Sequence, residues 1–154
     1  MFQEMRRKDR ALSESEAREV IARSDFGQLA THGSDGWPYS VAINHVLENN
    51  TIYFHCAKKG HKLDNIRHDS KVCFSVVEEC KVLPEEFATR YTSACAFGTA
   101  EVVDREERRR ALTLLVARHC KGFEKQGQEM IEKEIDHPEV VAIRIQHITG
   151  KARR

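Results

Sequence analysis

The sequence lacks several features that are typical of membrane proteins, secreted proteins and proteins that bind nucleoside triphosphates. Its apolar runs fall well short of the roughly 20 residues that a membrane helix needs. Its first residues, MFQEMRRK, contain no apolar signal-peptide segment. There is no Gly-x-Gly-x-x-Gly, Walker or Gly-x-Ser-x-Gly sequence, so dinucleotide-fold, triphosphatase and serine-hydrolase functions lose their main support. We therefore expect a cytoplasmic protein without a membrane partner.

The sequence also lacks an excess of either charge. Its 25 basic and 24 acidic side chains give a formal net charge of +1, so no long-range field attracts nucleic acid or an acidic membrane. Residues 105–110 and 151–154 are locally basic, but in the first segment arginine alternates with Glu106 and Glu107, as on a solvated helix face. Nucleic-acid binding is therefore the weakest function considered. We expect no such partner, and any anion site must be local.

Paired cysteine motifs are absent as well. No Cys-x-x-Cys occurs, and an odd number of cysteines without an export signal indicates reduced, mostly buried thiols. The dipeptides His55-Cys56 and His119-Cys120 suggest a metal, but neighbouring strand residues point to opposite faces and do not chelate easily. We expect no metal site. The five cysteines are Cys56, Cys73, Cys80, Cys95 and Cys120.

Hydrophobic periodicity and turn residues predict a chain made mainly of strands. A Ser13–Glu16 capping box opens a helix that runs to about Arg23. Asp104 caps a second helix, with an apolar face of Leu112, Leu115, Val116 and His119. The predicted strands cover residues 26–32, 39–47, 51–56, 71–77, 92–103 and 140–148, with a short helix from about 63, a long connection at 78–90, a partly helical stretch at 124–135 and a basic tail at 149–154.

Six short strands with hairpin-length connections favour a closed or partly closed antiparallel barrel over a doubly wound sheet. The length of 154 residues suits a single domain, residues 1–154, and no internal repeat is present. We therefore predict a mainly β (α+β) fold, a six-stranded antiparallel barrel with flanking helices. Gly98 is a candidate bulge or close backbone approach.

The predicted strand at residues 39–47 has two different faces. One face is mainly apolar and includes Tyr39, Val41 and Ile43, so we expect it to pack into the core. The other face is small and polar and includes Ser40 and Ala42. A planar ligand could lie close to the backbone on this second face.

The most informative segment is residues 55–64, HCAKKGHKLD. It follows an apolar strand and leads into a helix, so its lysines surround a glycine turn just where helix amides are unpaired. Lys58, Lys59, His61 and Lys62 with these amides would suit a phosphate dianion. From the local sequence alone, a solvated basic turn is equally compatible.

The segments GQLAT, DGWPY, YFHCA and GHKLDNI, in this order, resemble the FMN-binding split-barrel proteins related to pyridoxamine 5′-phosphate oxidase. The nearest branch is the 5-nitroimidazole-resistance (Nim) group, and the resemblance extends over nearly the whole chain. It implies a split β-barrel, a homodimer with FMN in two clefts at the subunit interface, and reduction of small planar substrates such as nitroaromatics. A reduced nicotinamide or another donor would supply the electrons.

The resemblance also implies roles for individual residues. Lys62 and Asn65 match the family's Lys-x-x-Asn pattern and would contact phosphate and ribityl groups, with His61 and Lys58 nearby. His55 or His61 would take the place of a histidine important for activity. The remaining cofactor contacts would be Thr31, His32, Ser40, Val41, Ala42, Ile43, His55, Cys56, Ala57 and, from the partner subunit, Cys95.

Three alternatives stay open. The chain can be a non-catalytic flavin-binding or sensing module, since no acid–base pair is evident beyond scattered histidines. It can use a deazaflavin, or a heme with His55 or His61 as axial ligand. Oxidation of vitamin B6 is disfavoured, because Arg67 and Arg90 are isolated and no second cationic cluster is present for a substrate phosphate.

Overall fold

The computed structural model describes residues 2–154. Within them the chain forms one antiparallel sheet of eight strands and four α-helices, with short 3-10 turns at Lys8–Arg10 and Pro84–Glu86. The strands are β1 (Ala11–Leu12), β2 (Phe26–His32), β3 (Pro38–Asn44), β4 (Val46–Glu48), β5 (Thr51–Cys56), β6 (Lys71–Leu83), β7 (Ala88–Val102) and β8 (Glu139–Arg153). The helices are α1 (Glu14–Arg23), α2 (His61–His68), α3 (Arg105–His119) and α4 (Glu124–Glu134).

The sheet is a split barrel. Its strand order is β3-β2-β6-β7-β8-β5-β4, and the short β1 pairs with β8. The two strands at the ends of this order, β3 and β4, are separated in the chain by His45 alone. The covalent chain at His45 therefore joins the two ends of the hydrogen-bonded sheet. The predicted mainly β split barrel with flanking helices is confirmed, and the short β1 and β4 add to six longer strands.

The side chain of His45 anchors the junction between β3 and β4 to the interior of the barrel. Its side chain is 1% exposed, and its Nε2–H donates a hydrogen bond of 2.8 Å to the carbonyl of Ile21 in α1. The ring of Phe74 meets the imidazole edge-on at a centroid distance of 4.7 Å. Burial lowers the pKa of His45, and His119 and Arg118 add to this effect. The predicted strand at 39–47 is therefore broken at its buried histidine.

The barrel interior and α1 form the main hydrophobic core. Alternate residues of the strands point inward, including the fully buried Leu29, Phe54 and Phe74. α1 covers this core, and the predicted capping box at Ser13 is confirmed by both of its hydrogen bonds to Glu16. Burying each large apolar side chain contributes about 1.5–3 kcal/mol, so the core holds the strands that carry the site.

A second, smaller cluster lies on the other side of β5 and β8. It packs α3 against these strands through Tyr53, Val103, Ala111, Val140 and Ala142. Asp104 caps α3 as predicted, its side chain accepting from the amide of Glu107 at 2.9 Å.

Two predictions about connecting segments were wrong. Residues 78–90 form the outer arms of the β6–β7 hairpin, paired from Glu79 with Thr92 to Leu83 with Ala88. Residues 149–153 continue β8, paired with β7 and β1. Most residues of β6 beyond Val76 are exposed. Without one buried face, the alternation that reveals a strand is absent.

The prediction for Gly98 is confirmed in both respects. The register between β7 and β8 shifts between Phe97 and Gly98. A Cβ atom at Gly98 would lie 2.2 Å from the carbonyl oxygen of Arg144. The glycine lets the two backbones approach.

The buried His45 predicts a pH-dependent stability. Because its folded pKa is lowered, the unfolded chain binds the proton more readily, and stability falls as the pH drops through the ordinary histidine pKa of about 6.5. In His45→Gln, whose amide can still donate to Ile21, we expect this slope to decrease by at most about 1.4 kcal/mol per pH unit. Urea unfolding between about pH 7 and pH 5 measures the slope. His68→Gln, on the exposed end of α2, is the control, and equal slopes in all three proteins would contradict the expectation.

Candidate functional site

The basic turn at the start of α2 forms one end of the candidate site. Gly60 precedes the helix at φ 146°, which side-chain-bearing residues rarely adopt. Lys58, Lys59 and His61 are exposed, and Lys62 is half-buried. Within residues 2–154 these lysines form no salt bridge. The first amides of α2 therefore lie next to Lys59, His61 and Lys62, while the charge of Lys58 also helps to lower the pKa of Asp136.

A buried hydrogen bond holds α2 in place. The side-chain amide of Asn65 donates to the hydroxyl of Thr31 in β2 at 3.0 Å, and both residues are 4% exposed. A Cβ atom at Gly33 would lie 2.9 Å from Oδ1 of Asn65, so the glycine leaves room for this side chain. The structure thus brings the predicted contacts Thr31 and Asn65 together, with their side chains turned to each other.

The start of β3 adjoins this turn, since the ring centroids of Tyr39 and His61 are 4.0 Å apart. Tyr39 belongs to the core-facing side of the strand, opposite to Ser40 and Ala42. Ser40 and Ala42 are exposed, whereas Val41 and Ile43 pack against the core. Of residues 40–43, only Ser40 and Ala42 therefore present side chains outward, and the two-faced pattern predicted for this strand is confirmed. His32 is exposed at the end of β2, next to this face.

A cleft of about 900 Å³ lies beyond the other end of β3, between the end of β5 and the helices α3 and α4. His55, Cys56 and Ala57 line it, and Asn44 connects it to the outer face of β3. The walls are mainly apolar and include Leu112, Leu115, Val116, Met130, Ile131 and Pro138.

Two further histidines reach this cleft. His119 and His137 line it together with His55. The sequence placed His119 on the buried face of a helix without assigning it to a site, and an isolated histidine in a loop such as His137 gives no local signal. The cleft is therefore richer in imidazole groups than the sequence indicates.

The three imidazoles differ in their hydrogen bonding. Nε2–H of His119 donates to the carbonyl of His45 at 2.7 Å, and Nδ1 of His137 pairs with Glu134. His55 makes no side-chain hydrogen bond within the described residues 2–154. Desolvation in the cleft lowers the pKa of His55, and His119 lowers it further. His55 is therefore the imidazole free to contact a ligand.

The thiol of Cys56 lies between the cleft and the basic turn. Burial raises its pKa, and the charge of Lys62 opposes this effect. Lys62 is thus close to the end of β5, and the two parts of the site adjoin.

The predicted residues do not form a single cluster. Lys58, His61 and Lys62 lie at the phosphate-like end, whereas His55 and Ala57 lie at the cleft. Cys95 is apart from both, on the outer face of β7, with its Sγ 3.1 Å from Sγ of Cys73. None of the five cysteines is fully buried, and Cys80 and Cys120 are exposed, so the expectation of mostly buried thiols was wrong.

The basic residues of α3 do not form an open anion site. Arg105 pairs with Asp136 and Arg108 with Glu139, and the other two arginines of the segment have carboxylate partners as well. Their charges are balanced within the protein.

Among residues 2–154, no group of three or more His, Cys, Asp or Glu side chains is arranged to hold a metal ion. In the same part of the chain, no helix is both long and apolar enough to cross a membrane.

Comparison with known proteins identifies the family. The family model described as pyridoxamine 5′-phosphate oxidase matches residues 13–152. The chain belongs to this family. No curated protein sequence matches it.

Several solved structures share the fold of this chain. A protein from Bacteroides thetaiotaomicron named for 5-nitroimidazole antibiotic resistance has 22% identity and a TM-score of 0.77, covering 92% of this chain and 85% of its own. The conserved protein Rv2991 from Mycobacterium tuberculosis has 22% identity and a TM-score of 0.83. The alignment covers 98% of this chain and 91% of that protein. An FAD- and heme-binding protein from Mycobacterium smegmatis has 21% identity and a TM-score of 0.80. The alignment covers 92% of this chain and 72% of that protein. At these identities the likeness establishes the fold.

The charge effect of His119 on His55 predicts that a substitution of His119 changes the titration of His55. Replacing His119 by glutamine removes an imidazole that lowers the pKa of His55, so we expect the pKa of His55 to rise. Two-dimensional NMR of the imidazole groups, followed across pH, measures the change. His137→Gln, which alters another imidazole of the cleft, is the control and is expected to leave the pKa of His55 unchanged. An unchanged or lower pKa of His55 in His119→Gln would contradict the electrostatic coupling.

Proposed function

We propose that this protein is an FMN-dependent oxidoreductase that reduces small planar compounds, with nitroaromatic compounds as its substrate class. The observation that carries the proposal is that the basic turn at α2 adjoins the start of β3, while the cleft at His55 adjoins the end of the same strand at Asn44. Membership of the pyridoxamine 5′-phosphate oxidase family and the relative named for 5-nitroimidazole resistance support it.

The phosphate of FMN fits the start of α2. A dianion needs local cations and amide donors, and helix amides are unpaired at this position. Lys62 would be its first cation, with Lys58 and His61 beside it. The buried bond between Asn65 and Thr31 would hold these groups in place.

The ring system of FMN fits the outer face of β3. From Ser40 to Asn44 this face extends over about 13 Å at the usual rise of a strand, and its outward side chains are small. Backbone groups of Val41 and Ile43 would be accessible between them. The far end of the face meets the cleft at Asn44.

FMN, when bound, supplies the electron and hydride chemistry. The chain contributes a largely apolar cleft, which excludes water from a planar substrate. Desolvation lowers the pKa of His55 and so favours its neutral form, and a ring N–H of His55 would donate a hydrogen bond to a substrate oxygen. We assign His55 to the substrate and His61 to the phosphate end.

We propose that the protein acts as a homodimer, with the partner subunit covering the outer face of the sheet. Large apolar side chains are exposed there, including Phe26 at 59% and Val77 at 63%. Phe87, at the tip of the β6–β7 hairpin, is 98% exposed. In this arrangement the partner's outer face, with Cys95, would approach the flavin.

The phosphate assignment predicts a ligand-dependent effect of Lys62. Because a charge-assisted hydrogen bond is worth about 1.5–3 kcal/mol, Lys62→Met should weaken FMN binding about tenfold or more. Riboflavin lacks the phosphate, so its weaker binding should be unaffected by the same substitution. Titration of flavin fluorescence measures both affinities.

Lys81→Met, in the exposed hairpin arm, is the matched control and should bind FMN as the natural chain does. Sedimentation equilibrium should give twice the mass of one chain. Equal loss of FMN and riboflavin affinity in Lys62→Met would contradict the phosphate assignment, and absence of flavin binding would overturn the proposed function.

The substrate assignment predicts a separate effect of His55. With a reduced nicotinamide as donor and a nitroaromatic compound as acceptor, we expect His55→Ala to lower kcat/KM by about tenfold to a hundredfold. Its affinity for FMN should change little. His68→Ala, a histidine on the exposed end of α2, should retain both properties. Turnover unchanged in His55→Ala would exclude this role, and absence of turnover with any acceptor would favour a purely flavin-binding module.

A second candidate is a heme-binding function. The free imidazole of His55 in an apolar cleft of about 900 Å³ favours it, and the M. smegmatis relative is named for both FAD and heme. The absorbance spectrum of the purified protein distinguishes flavin, deazaflavin and heme, and a heme Soret band that shifts in His55→Ala would support this second candidate.

A further inference from the structure

A glycine occupies the first turn of α4, where it weakens the helix. The amide of Gly127 donates to the carbonyl of Phe123 at 2.9 Å, so the residue belongs to the regular hydrogen bonding of α4. Glycine is among the poorest helix formers. A glycine at this position therefore calls for a packing reason, and the contact with α3 supplies one.

Gly127 faces Val116 of α3 at very close range. A Cβ atom at Gly127 would lie 2.5 Å from Cγ1, 3.0 Å from Cγ2 and 3.3 Å from Cβ of Val116. Valine is held close to one rotamer in a helix, and its rotation would not move the Cβ atom. An ordinary contact of a Cβ atom begins at 3.4 Å, so Gly127→Ala would push α4 away from α3 by roughly 1 Å.

Three polar contacts between α3 and α4 lie at the surface of the helix pair. They join Arg105 to Asp136, Arg109 to Glu132 and Thr113 to Gln128. Exposed pairs of this kind contribute little, because solvent screens them and their long side chains can adjust. The close approach at Gly127 is therefore the contact that sets the helix spacing at this end of α4.

Both residues of this contact line the cleft at His55. Gly127 and Val116 are wall residues, together with Leu112 of α3 and Met130 of α4. Because the cleft lies between the end of β5 and these two helices, its width depends on the distance between α3 and α4. One methylene group more or less in an apolar pocket already changes selectivity about tenfold. A shift of α4 by roughly 1 Å is comparable in size.

We propose that Gly127 is a specificity-determining residue, which holds α4 close to α3 and so favours single-ring over fused-ring planar compounds in the cleft. The inference rests on the proposed function, which assigns the cleft to the substrate. Gly127 supplies no group to the chemistry and acts through the position of α4. Its substitution should therefore change which compounds fit, and so KM, while kcat changes little.

The experiment measures binding with FMN present and without an electron donor, so that no turnover takes place. The probes are para-nitrobenzyl alcohol, with one ring, and its naphthalene analogue, with two fused rings. The shift of the His55 imidazole signal in two-dimensional NMR gives both dissociation constants. In Gly127→Ala we expect the ratio of the two affinities to change about tenfold in favour of the naphthalene compound. Gln126→Ala, at an exposed position of α4, is the matched control and should keep the natural ratio.

A second substitution separates helix spacing from other effects of the added methyl group. Val116→Ala removes the two methyl carbons that a Cβ atom at Gly127 would meet first. In the variant that carries both Gly127→Ala and Val116→Ala, α4 can return to its natural distance from α3. The two changes should therefore be non-additive, and the natural ratio of affinities should be restored. Circular dichroism verifies that each variant is folded, which we expect because alanine is the better helix former.

The outcomes distinguish this inference from the proposed function. An unchanged ratio in Gly127→Ala, or no restoration in the double variant, would overturn the role of Gly127 and leave the cleft as the substrate site. If neither probe shifted the His55 signal in the natural chain, the assignment of the cleft to the substrate would fail, and the role of Gly127 with it.

Discussion

The closure of the barrel at His45 determines where the parts of the candidate site lie. The outermost strands of the hydrogen-bonded order, β3 and β4, are joined through this single residue. β4 then pairs with β5, so the outer face of β3 and the end of β5 become neighbours in space. The buried ring of His45, bonded to α1 and packed on Phe74, keeps this junction in one conformation. A chain with the same strands but without this junction would separate the face from the cleft.

The two ends of the site have different physical characters because different elements form them. At one end a helix start supplies amides and lysines, and a buried amide–hydroxyl bond between Asn65 and Thr31 fixes the helix. At the other end, α3 and α4 cover β5 and make an apolar cleft around His55. A charged phosphate suits the first environment, and a planar, weakly polar compound suits the second. A ligand that spans both requires the small side chains of Ser40 and Ala42 between them.

Local sequence predicted the parts of this arrangement that depend on periodicity and capping. Three such features are present in the structure, and each has a local physical cause. They are the capping box at Ser13, the alternation along β3 and the close backbone approach at Gly98. The outer arm of β6 was missed because both of its faces are exposed. His119 and His137 were missed as site residues because only tertiary packing of α3 and α4 brings them to β5. The neighbouring sulfurs of Cys73 and Cys95 likewise require the strand register, which the sequence alone does not contain.

The central claim is that FMN lies along β3, with its phosphate at the start of α2. A crystal structure of the protein grown with FMN tests this most directly. The account predicts density for the phosphate within hydrogen-bonding distance of Lys62 and the first amides of α2, and for the ring system over Ser40 and Ala42. Density for the ring system inside the cleft between α3 and α4, with the phosphate away from Lys62, would contradict it.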